Sequence, residues 1–442
     1  MVQNLPFLGA LLSAEVELAV HLLALEDRSA MKKSTKPPPS NLSREEQHAL
    51  KKIQRNTSVV VLPAEKGNAT VDMNREEYEQ KIQNLLYPVT YTKLKKDPTG
   101  AKLRNINRLI KISSIDENTM KRIIRPSVSV PGSPTYDIAK YLSSLLQPHL
   151  GSTGTYIKDS EDFIKTIQDL ILDPTDMLVS FDVESLFTKV PVDESIELVA
   201  ELFEESTTNL FKACLKGSYF LWNGYYYEQK EGVAIGSLLS PVVANLFMEK
   251  FEETALITAP LKPTIWYRYV DDTFVIWRHG RKNLDIFLDH LHKQHPDIQF
   301  TVEVEQNYQL AFLDVLVPRQ GNRLDHKVYR KATPTNRYLH KLSNHHPSQK
   351  QGIIKTLTDR ARKICGPQDL TRELQHLEKA FLQNGYSQLD IKRPVGVGRA
   401  EKSESTMKAF LPFVPKVTDR IGRFLRKHNI RTTSPQQRSE NV

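Results

Sequence analysis

Cysteine is almost missing from this 442-residue chain, with only Cys214 and Cys365, far apart and without C-x-x-C spacing. That excludes a disulfide framework and a Cys-rich zinc site, and makes a reducing, intracellular compartment the default. Long apolar runs are missing too. The opening LPFLGALLSAEVELAVHLLAL is interrupted by Glu15, Glu17 and His21 and has no basic region of a signal peptide. Nothing else approaches the roughly 18 uncharged residues of a membrane span. The opening therefore reads as a helix that packs on something or a partly ordered extension, and no membrane partner is expected. The pair His345-His346 lacks a neighbouring Cys or acid, so a helix C-terminal cap, or a turn before Pro347, is expected there rather than zinc.

What the chain does have is a lopsided charge. The formal charge is +9. Residues 319–442 hold 26 Lys and Arg against 10 Asp and Glu, while residues 1–318 hold 35 against 42. A basic end of this kind suits a phosphate backbone; a solvated basic surface is the bland alternative.

In chain order, KKSTKPPPSNLSREEQ (32–47) is a linker running into a helix, with Ser43 and Glu46 in capping-box spacing. SVVVLPAEKGNATVDM (58–73) reads as a hairpin with Lys66 at its tip, and residues 75–125 as charged helix broken at Tyr87-Pro88 and Asp97-Pro98. After Arg125 the prolines 126, 131 and 134 describe an extended loop; a helix then starts near Tyr136. In EQKEGVAIGSLLSPVVANLFMEKFEETAL (228–256) a glycine-spaced loop meets a helix capped by Ser240 with Pro241 first inside it. Gly232 and Gly236 are placed to let backbone approach a ligand, or to form an ordinary loop-to-helix joint. Residues 283–294 read as a helix, and 300–317 as two strands joined at Gln306-Asn307-Tyr308. Residues 392–408 are expected to be loose, and 417–430 to form a short basic amphipathic helix.

The chemistry gathers around IWYRYVDDTFVIW (265–277), two β-type runs with Asp271 and Asp272 as the tight turn between them. An exposed acidic turn is one reading. A metal-holding hairpin is the other, and ions about 4 Å apart then require a carboxylate from a further strand. DMLVSFDVESLFTKVP (176–191) supplies one: Asp182 closes an apolar strand, where a carboxylate is expensive unless paired or bound to metal. Phe187 follows five residues later. The order strand, helix, hairpin, helix, strand suits a small antiparallel sheet with helices on one face. Farther on, Arg330, Lys331, Arg337 and Lys341 interleave with Tyr329, Tyr338 and His340, a mixture that suits a nucleic-acid track.

Together the segments VVLPAEKGNATV, RPSVSVPGSPTY, SFDVESLFTKVP, EGVAIGSLLSPVVANLFM, YVDD, AFLDVLV and YRKATPTNRYLH…HHP resemble a reverse transcriptase, most closely of the Penelope-like retroelement group, from about Asn41 to Ile430. The resemblance implies an α+β fold of right-hand polymerase architecture, with fingers, an antiparallel-sheet palm and a mostly helical thumb. It divides the chain into a variable N-terminal extension (1–40), shortened fingers (41–175) and a palm with a fingers insertion near 192–230 (176–318). A basic thumb (319–430) and a disordered tail (431–442) follow.

By the same resemblance, Asp182 and Asp271 would ligate two Mg²⁺ ions, with Mn²⁺ a possible substitute and Asp272 contributing less directly. Phe187 would lie under the incoming sugar and favour dNTPs. Lys66 and Arg125 would sit near the triphosphate, and Gln229, Gly236 and Ser237 would support the templating pair. Arg330, Lys331, Arg337, Tyr338 and Lys341 form the candidate nucleic-acid track. An RNA template and a DNA primer are the implied partners and the nucleus the implied location; no protein partner is identifiable.

Three departures stand out. The Leu-Pro-Lys-x-His segment usual before Arg-Pro-x-Val-Ser is missing from LIKISSIDENTMKRIIRPSVSV, Leu238 stands where such elements carry Pro, and no GIY-YIG endonuclease signature is present. The first two motivate an alternative, a catalytically impaired remnant that only binds nucleic acid. A telomerase-like enzyme is a further alternative, disfavoured because no separate RNA-binding domain precedes the fingers.

Overall fold

A computed structural model describes residues 43–63, 70–86, 90–116, 119, 136–151, 153–330, 336–343, 345–392, 407–410, 421–423, 425 and 430–433. Lys66, Arg125 and Lys331 lie outside the described residues, as does most of the basic helix expected over 417–430. The chain divides into two units, one made of residues 75–334 and 360–373, the other of 1–74, 335–359 and 374–442.

The strands, in chain order, are β1 (Val59–Pro63), β2 (Thr70–Asn74), β3 (Tyr91–Leu94), β4 (Met177–Val183), β5 (Tyr219–Trp222), β6 (Tyr225–Gln229), β7 (Ile265–Tyr269) and β8 (Asp272–Trp277). They continue with β9 (Phe300–Val304), β10 (Gln309–Phe312), β11 (Val315–Gln320), β12 (Arg323–Leu324), β13 (Lys327–Val328), β14 (Met407–Phe410) and β15 (Ile430–Thr433).

The larger unit is built on a four-stranded sheet of order β7-β8-β4-β9, every pair antiparallel. Alternation along β4 sends Val179, Phe181 and Val183 to one face and Leu178 to the other. The first face meets the helices Ser240–Thr258 and Gly280–Gln294. There Phe181 stacks on Trp266 at 5.5 Å and Phe287 meets Trp277 at 5.1 Å, inside one continuous core. The second face is not bare, as an arrangement with helices on one side only would leave it. The helix Ser160–Ile167 lays Phe163 against Phe274 and Phe312, at 5.0 and 4.6 Å, together with residues of β10 and β11. Asp159 starts that helix by accepting from the Glu161 and Asp162 N–H groups.

A second sheet of order β3-β6-β5 is joined to the helix Thr99–Ile112, with the Thr99 hydroxyl 2.6 Å from the Tyr219 hydroxyl and Lys102 2.7 Å from Glu228. Strand β3 lies inside 75–125, between the breaks at Tyr87-Pro88 and Asp97-Pro98, where helix was expected. The segment 309–317 is also two strands rather than one. The chain reverses at Leu313-Asp314, Leu313 having φ 55°, and β10 pairs with β11. Asn307 and Tyr308, both at positive φ, make the expected turn before β10.

In the smaller unit, Ser43 and Glu46 exchange the two bonds of a capping box ahead of the helix Arg44–Arg55, and β1 pairs antiparallel with β2. The helix Pro367–Gln383 ends at Gly385, which has φ 81° while Tyr386 N–H reaches back to the Phe381 carbonyl. Strands β14 and β15 pair in parallel, so strand structure is present at Met407–Phe410, overlapping the end of the stretch expected to be loose, and at Ile430–Thr433, past the start of the expected tail.

Candidate active site

The turn between β7 and β8 is Val270-Asp271, one residue earlier than the Asp-Asp turn expected from sequence. Val270 has φ 57°, a rare conformation for a β-branched residue. The displacement decides which way the carboxylates face. Asp272 becomes the first residue of β8 and lies directly across from Asp182 on β4. Opposed residues share a face, with Cβ atoms about 5 Å apart. Asp271 remains in the turn, and its carbonyl accepts from Val183 N–H at 3.2 Å. The three acids thus occupy one end of the sheet, where Asp182 is exposed and Asp271 and Asp272 are half-buried.

Thr273 lies next to this end and is fully buried. Its hydroxyl accepts from Phe181 N–H and donates to Phe181 C=O, both at 2.9 Å. A side chain therefore occupies a rung between β4 and β8 one residue from the Asp182–Asp272 pair.

Beneath the turn lies a buried ion pair that sequence reasoning missed. Arg268, 0 % exposed, donates from Nε to Glu252 Oε1 at 2.7 Å. Its Nη1 donates to Asn245 Oδ1 at 2.8 Å and to the Val270 carbonyl at 3.1 Å. Glu252 also accepts from Trp266 Nε1 and the Thr155 hydroxyl. The backbone of Arg268 bonds to Thr155 and Ile157. One guanidinium thus joins the long helix to the strained residue of the turn. The signal available was Glu249 and Glu252 on the same helix as the mostly apolar run Val242 to Met248, and an Arg sharing the inward face of β7 with Trp266. Burial pushes the Glu249 carboxyl above its ordinary range, against the lowering effects of the Gly151 N–H and Arg268.

The glycine-spaced loop is held by backbone contact to the segment Phe187-Thr188 that follows β4. Val233 N–H donates to the Phe187 carbonyl at 2.6 Å. A Cβ on Gly232, at φ 69°, would stand 2.5 Å from the Thr188 carbonyl, so this glycine serves a chain-to-chain approach rather than a ligand. Gly236, at φ 92°, faces open space. Ser240 is inside the helix, not its cap. Its hydroxyl donates to the Ala234 carbonyl at 2.6 Å, which ties the loop down and leaves Leu239 as the cap residue. Ile235 protrudes from the loop, 78 % exposed, and Leu238 is exposed too. Ser237 Oγ accepts from Leu239 N–H, and Gln229 Nε2 donates to the Glu231 carbonyl. The structure therefore brings together Asp182, Asp271 and Asp272, while Gly232 and Val233 hold the glycine-spaced loop against Phe187 and Thr188.

The candidate nucleic-acid residues are largely engaged within the fold. Arg330 donates to Glu373, Lys341 to Asp390, and the Tyr338 ring lies 5.9 Å from Phe381. That ion pair and the Ser387 N–H hold the Asp390 carboxyl down to about 2. Arg337 is exposed. Asn384 fastens this segment by accepting from Tyr338 N–H and donating to the Asn336 carbonyl. His346 lies just before Pro347 and caps the start of the helix Pro347–Ile364 by accepting from Ser348 N–H; of the two roles expected there, a C-terminal cap or a turn before Pro347, it is not the C-terminal cap.

Among the described residues no cluster of three or more His, Cys, Asp or Glu side chains forms a metal cage. The fit to a divalent ion rests on the donor set itself: three carboxylates at one sheet end, all hard oxygen donors of the kind Mg²⁺ takes when substrate oxygens complete its shell. No described helix is long and apolar enough to cross a membrane.

Residues 115–306 match the family model described as reverse transcriptase (RNA-dependent DNA polymerase). The matched segment spans the four-stranded sheet and all three carboxylates, so the chain carries a reverse transcriptase domain, of the nucleotidyltransferase class, on an α+β polymerase fold. Residues 337–395 match the animal helix-turn-helix domain. That segment holds the helices Pro347–Ile364 and Pro367–Gln383, joined by Cys365-Gly366. No curated protein matches the chain.

Among solved structures, telomerase from Candida albicans in complex with a fragment of telomeric RNA is similar at 12 % identity, with a TM-score of 0.49. The match covers 77 % of this chain and 64 % of that one, so the chain spans less than two thirds of that telomerase. Apo telomerase from Candida tropicalis is similar at 9 % identity and a TM-score of 0.45, covering 74 % and 65 %. The Sicinivirus 3Dpol RNA-dependent RNA polymerase follows at 11 % and 0.33, covering 54 % and 52 %.

Proposed function

We propose that the chain is an RNA-directed DNA polymerase of a retroelement, of the Penelope-like group by its motifs, extending a DNA primer on an RNA template with dNTPs. The observation that carries this reading is the Asp182–Asp272 cross-strand pair with Asp271 in the adjoining turn, inside the segment matched to reverse transcriptases. Asp182 and Asp271, with Asp272 beside them, would hold two Mg²⁺ ions. Bound there, the ions would lower the pKa of the primer 3′-hydroxyl and neutralise charge on the phosphates.

The chain's own residues account for the rest. Arg268 holds the Val270 carbonyl and so sets the height of Asp271 above the sheet. Thr273 maintains the rung that keeps Asp182 opposite Asp272. Phe187, tethered through its carbonyl to Val233, would lie beside the sugar and select against a 2′-hydroxyl. Gly236, Ser237 and Gln229 would support the templating pair, and Lys66 and Arg125 would contact the triphosphate. The organisation proposed is fingers over 41–175, palm over 176–318 and a basic thumb over 319–430. Within the last, Arg330, Lys331, Arg337, Tyr338 and Lys341 would track the duplex.

The test is primer extension on an RNA template with purified protein, comparing dNTPs with rNTPs. Extension is expected to require Mg²⁺, to stop on chelation and to vanish in Asp271→Asn. Extension surviving Asp271→Asn would reject the site. Tight primer–template binding with no incorporation by the unaltered chain would establish the impaired remnant instead.

A further inference from the structure

The sheet β3-β6-β5 has one face joined to the helix Thr99–Ile112 through Tyr219 and Glu228. Registers place Tyr91 and Lys93 of β3, Phe220 and Trp222 of β5, and Tyr225, Tyr227 and Gln229 of β6 together on the opposite face. Five of these seven residues are aromatic and none is acidic. Their rings run on from one another: Tyr91 meets Phe220 edge-on at 5.6 Å, Phe220 stacks on Tyr227 at 5.6 Å, and Tyr227 meets Trp222 at 6.2 Å. Lys93 Nζ sits 3.1 Å over the Tyr225 ring. Phe220 is 39 % exposed and Tyr225 50 % exposed, whereas Phe181, Trp266, Phe274, Trp277 and Phe300 of the main sheet are buried.

Lys93, Phe220 and Tyr225 are exposed and Tyr91, Trp222 and Tyr227 half-buried, and a ring array open to solvent in this way calls for an occupant. Three facts specify its chemistry. Exposed rings carried on strands offer π-faces to planar ligands, and stacking tolerates any base. The strand end carries Lys93, Lys95 and Lys96, all three exposed, ahead of one acid, Asp97, whose carboxylate is engaged by Thr99 N–H and hydroxyl. Glu228 points to the other face, where Lys102 and Lys230 hold it.

We propose that this face is a binding platform for single-stranded nucleic acid. Bases stack on Phe220, Tyr225, Trp222 and Tyr227, and the phosphates run along Lys93, Lys95 and Lys96. The inference rests on the polymerase reading only for the choice of nucleic acid as ligand. It uses none of the carboxylates.

The protein supplies its own probe. Of its three tryptophans, Trp266 and Trp277 are buried, so quenching of emission by an added ligand reports on Trp222. Full-length Asp271→Asn protein would be titrated with short unstructured single-stranded RNA and DNA, and with a blunt duplex. Single strands are expected to quench Trp222 emission and the blunt duplex to leave it unchanged. Phe220→Ala and Tyr225→Ala are each expected to weaken single-strand affinity about tenfold, since stacking on one ring is worth about 1–3 kcal/mol. Tyr225→Phe should retain it.

Unchanged affinity in both alanine variants, with near-ultraviolet circular dichroism showing them folded, overturns the proposal. So does unquenched Trp222 on binding by the unaltered face. Loss of self-association in sedimentation, with oligonucleotide affinity unchanged, would assign the face to a second copy and equally overturn it. Single-strand binding at this face together with no primer extension by the unaltered chain overturns the polymerase reading and leaves this one standing.

Discussion

Glu252→Gln isolates what the buried pair beneath the turn does. The amide keeps the volume and still accepts from Trp266 Nε1 and Arg268 Nε, but it removes the charge that balances a fully buried guanidinium. Breaking a buried pair from one side costs about 3–5 kcal/mol, a large share of a total stability of about 5–15 kcal/mol. Arg268→Met is expected to cost less, up to about 3 kcal/mol, because Glu252 keeps Trp266 and Thr155 as donors. The double variant has neither charge and retains those two hydrogen bonds, so it is expected to be more stable than Glu252→Gln alone. The coupling expected is about 3 kcal/mol.

Urea unfolding of the four proteins measures the cycle, and primer extension is run beside it. The Val270 carbonyl has no guanidinium in the double variant, so stability is expected to return while kcat stays depressed. Single-variant costs under about 1 kcal/mol, or additive costs, would refute the energetic argument. Full activity in the double variant would refute the claim that Arg268 holds the turn.

Other outcomes follow from single contacts. Thr273→Val leaves the Phe181 N–H and C=O without their partner and should cost about 2 kcal/mol or more in urea, with Thr273→Ser close to the unaltered protein. Gly232→Ala drives a methyl onto the Thr188 carbonyl at positive φ. It should destabilise by more than about 1 kcal/mol and loosen the preference for dNTPs over rNTPs by displacing Phe187. Glu249 has a raised pKa in the fold, so its contribution is present below the ordinary value of 4.5 and lost as pH rises through the folded value. Glu249→Gln should accordingly raise the melting temperature at neutral pH, with the gain vanishing below pH 4.5, as followed by thermal unfolding across pH.

The acids, their strands and the helices between them were legible because each rests on a local signal: period-2 alternation in 177–183 and 265–277, and apolar spacing from Tyr136 and Leu284. What escaped depended on which neighbour each backbone group meets. Asp is so good a turn residue that Asp271-Asp272 looked like the turn, yet the rung from Tyr269 to Asp272 places the reversal at Val270, a residue that turn propensity argues against. Ser240 matched a cap by type, but its hydroxyl is drawn to Ala234. Strand β3, only four residues long, is held by pairing to β6, which lies 131 or more residues away in sequence. Leu313-Asp314 was hidden because an apolar residue at φ 55° leaves no glycine or asparagine mark in the chain. In each case tertiary contact overrode a local preference, and two of these places, Val270 and β3, belong to the carboxylate turn and to the proposed stacking face. The residues whose local chemistry disagrees with their place in the fold, Val270, Arg268 and Phe220 above all, are therefore the ones whose substitution should separate function from folding.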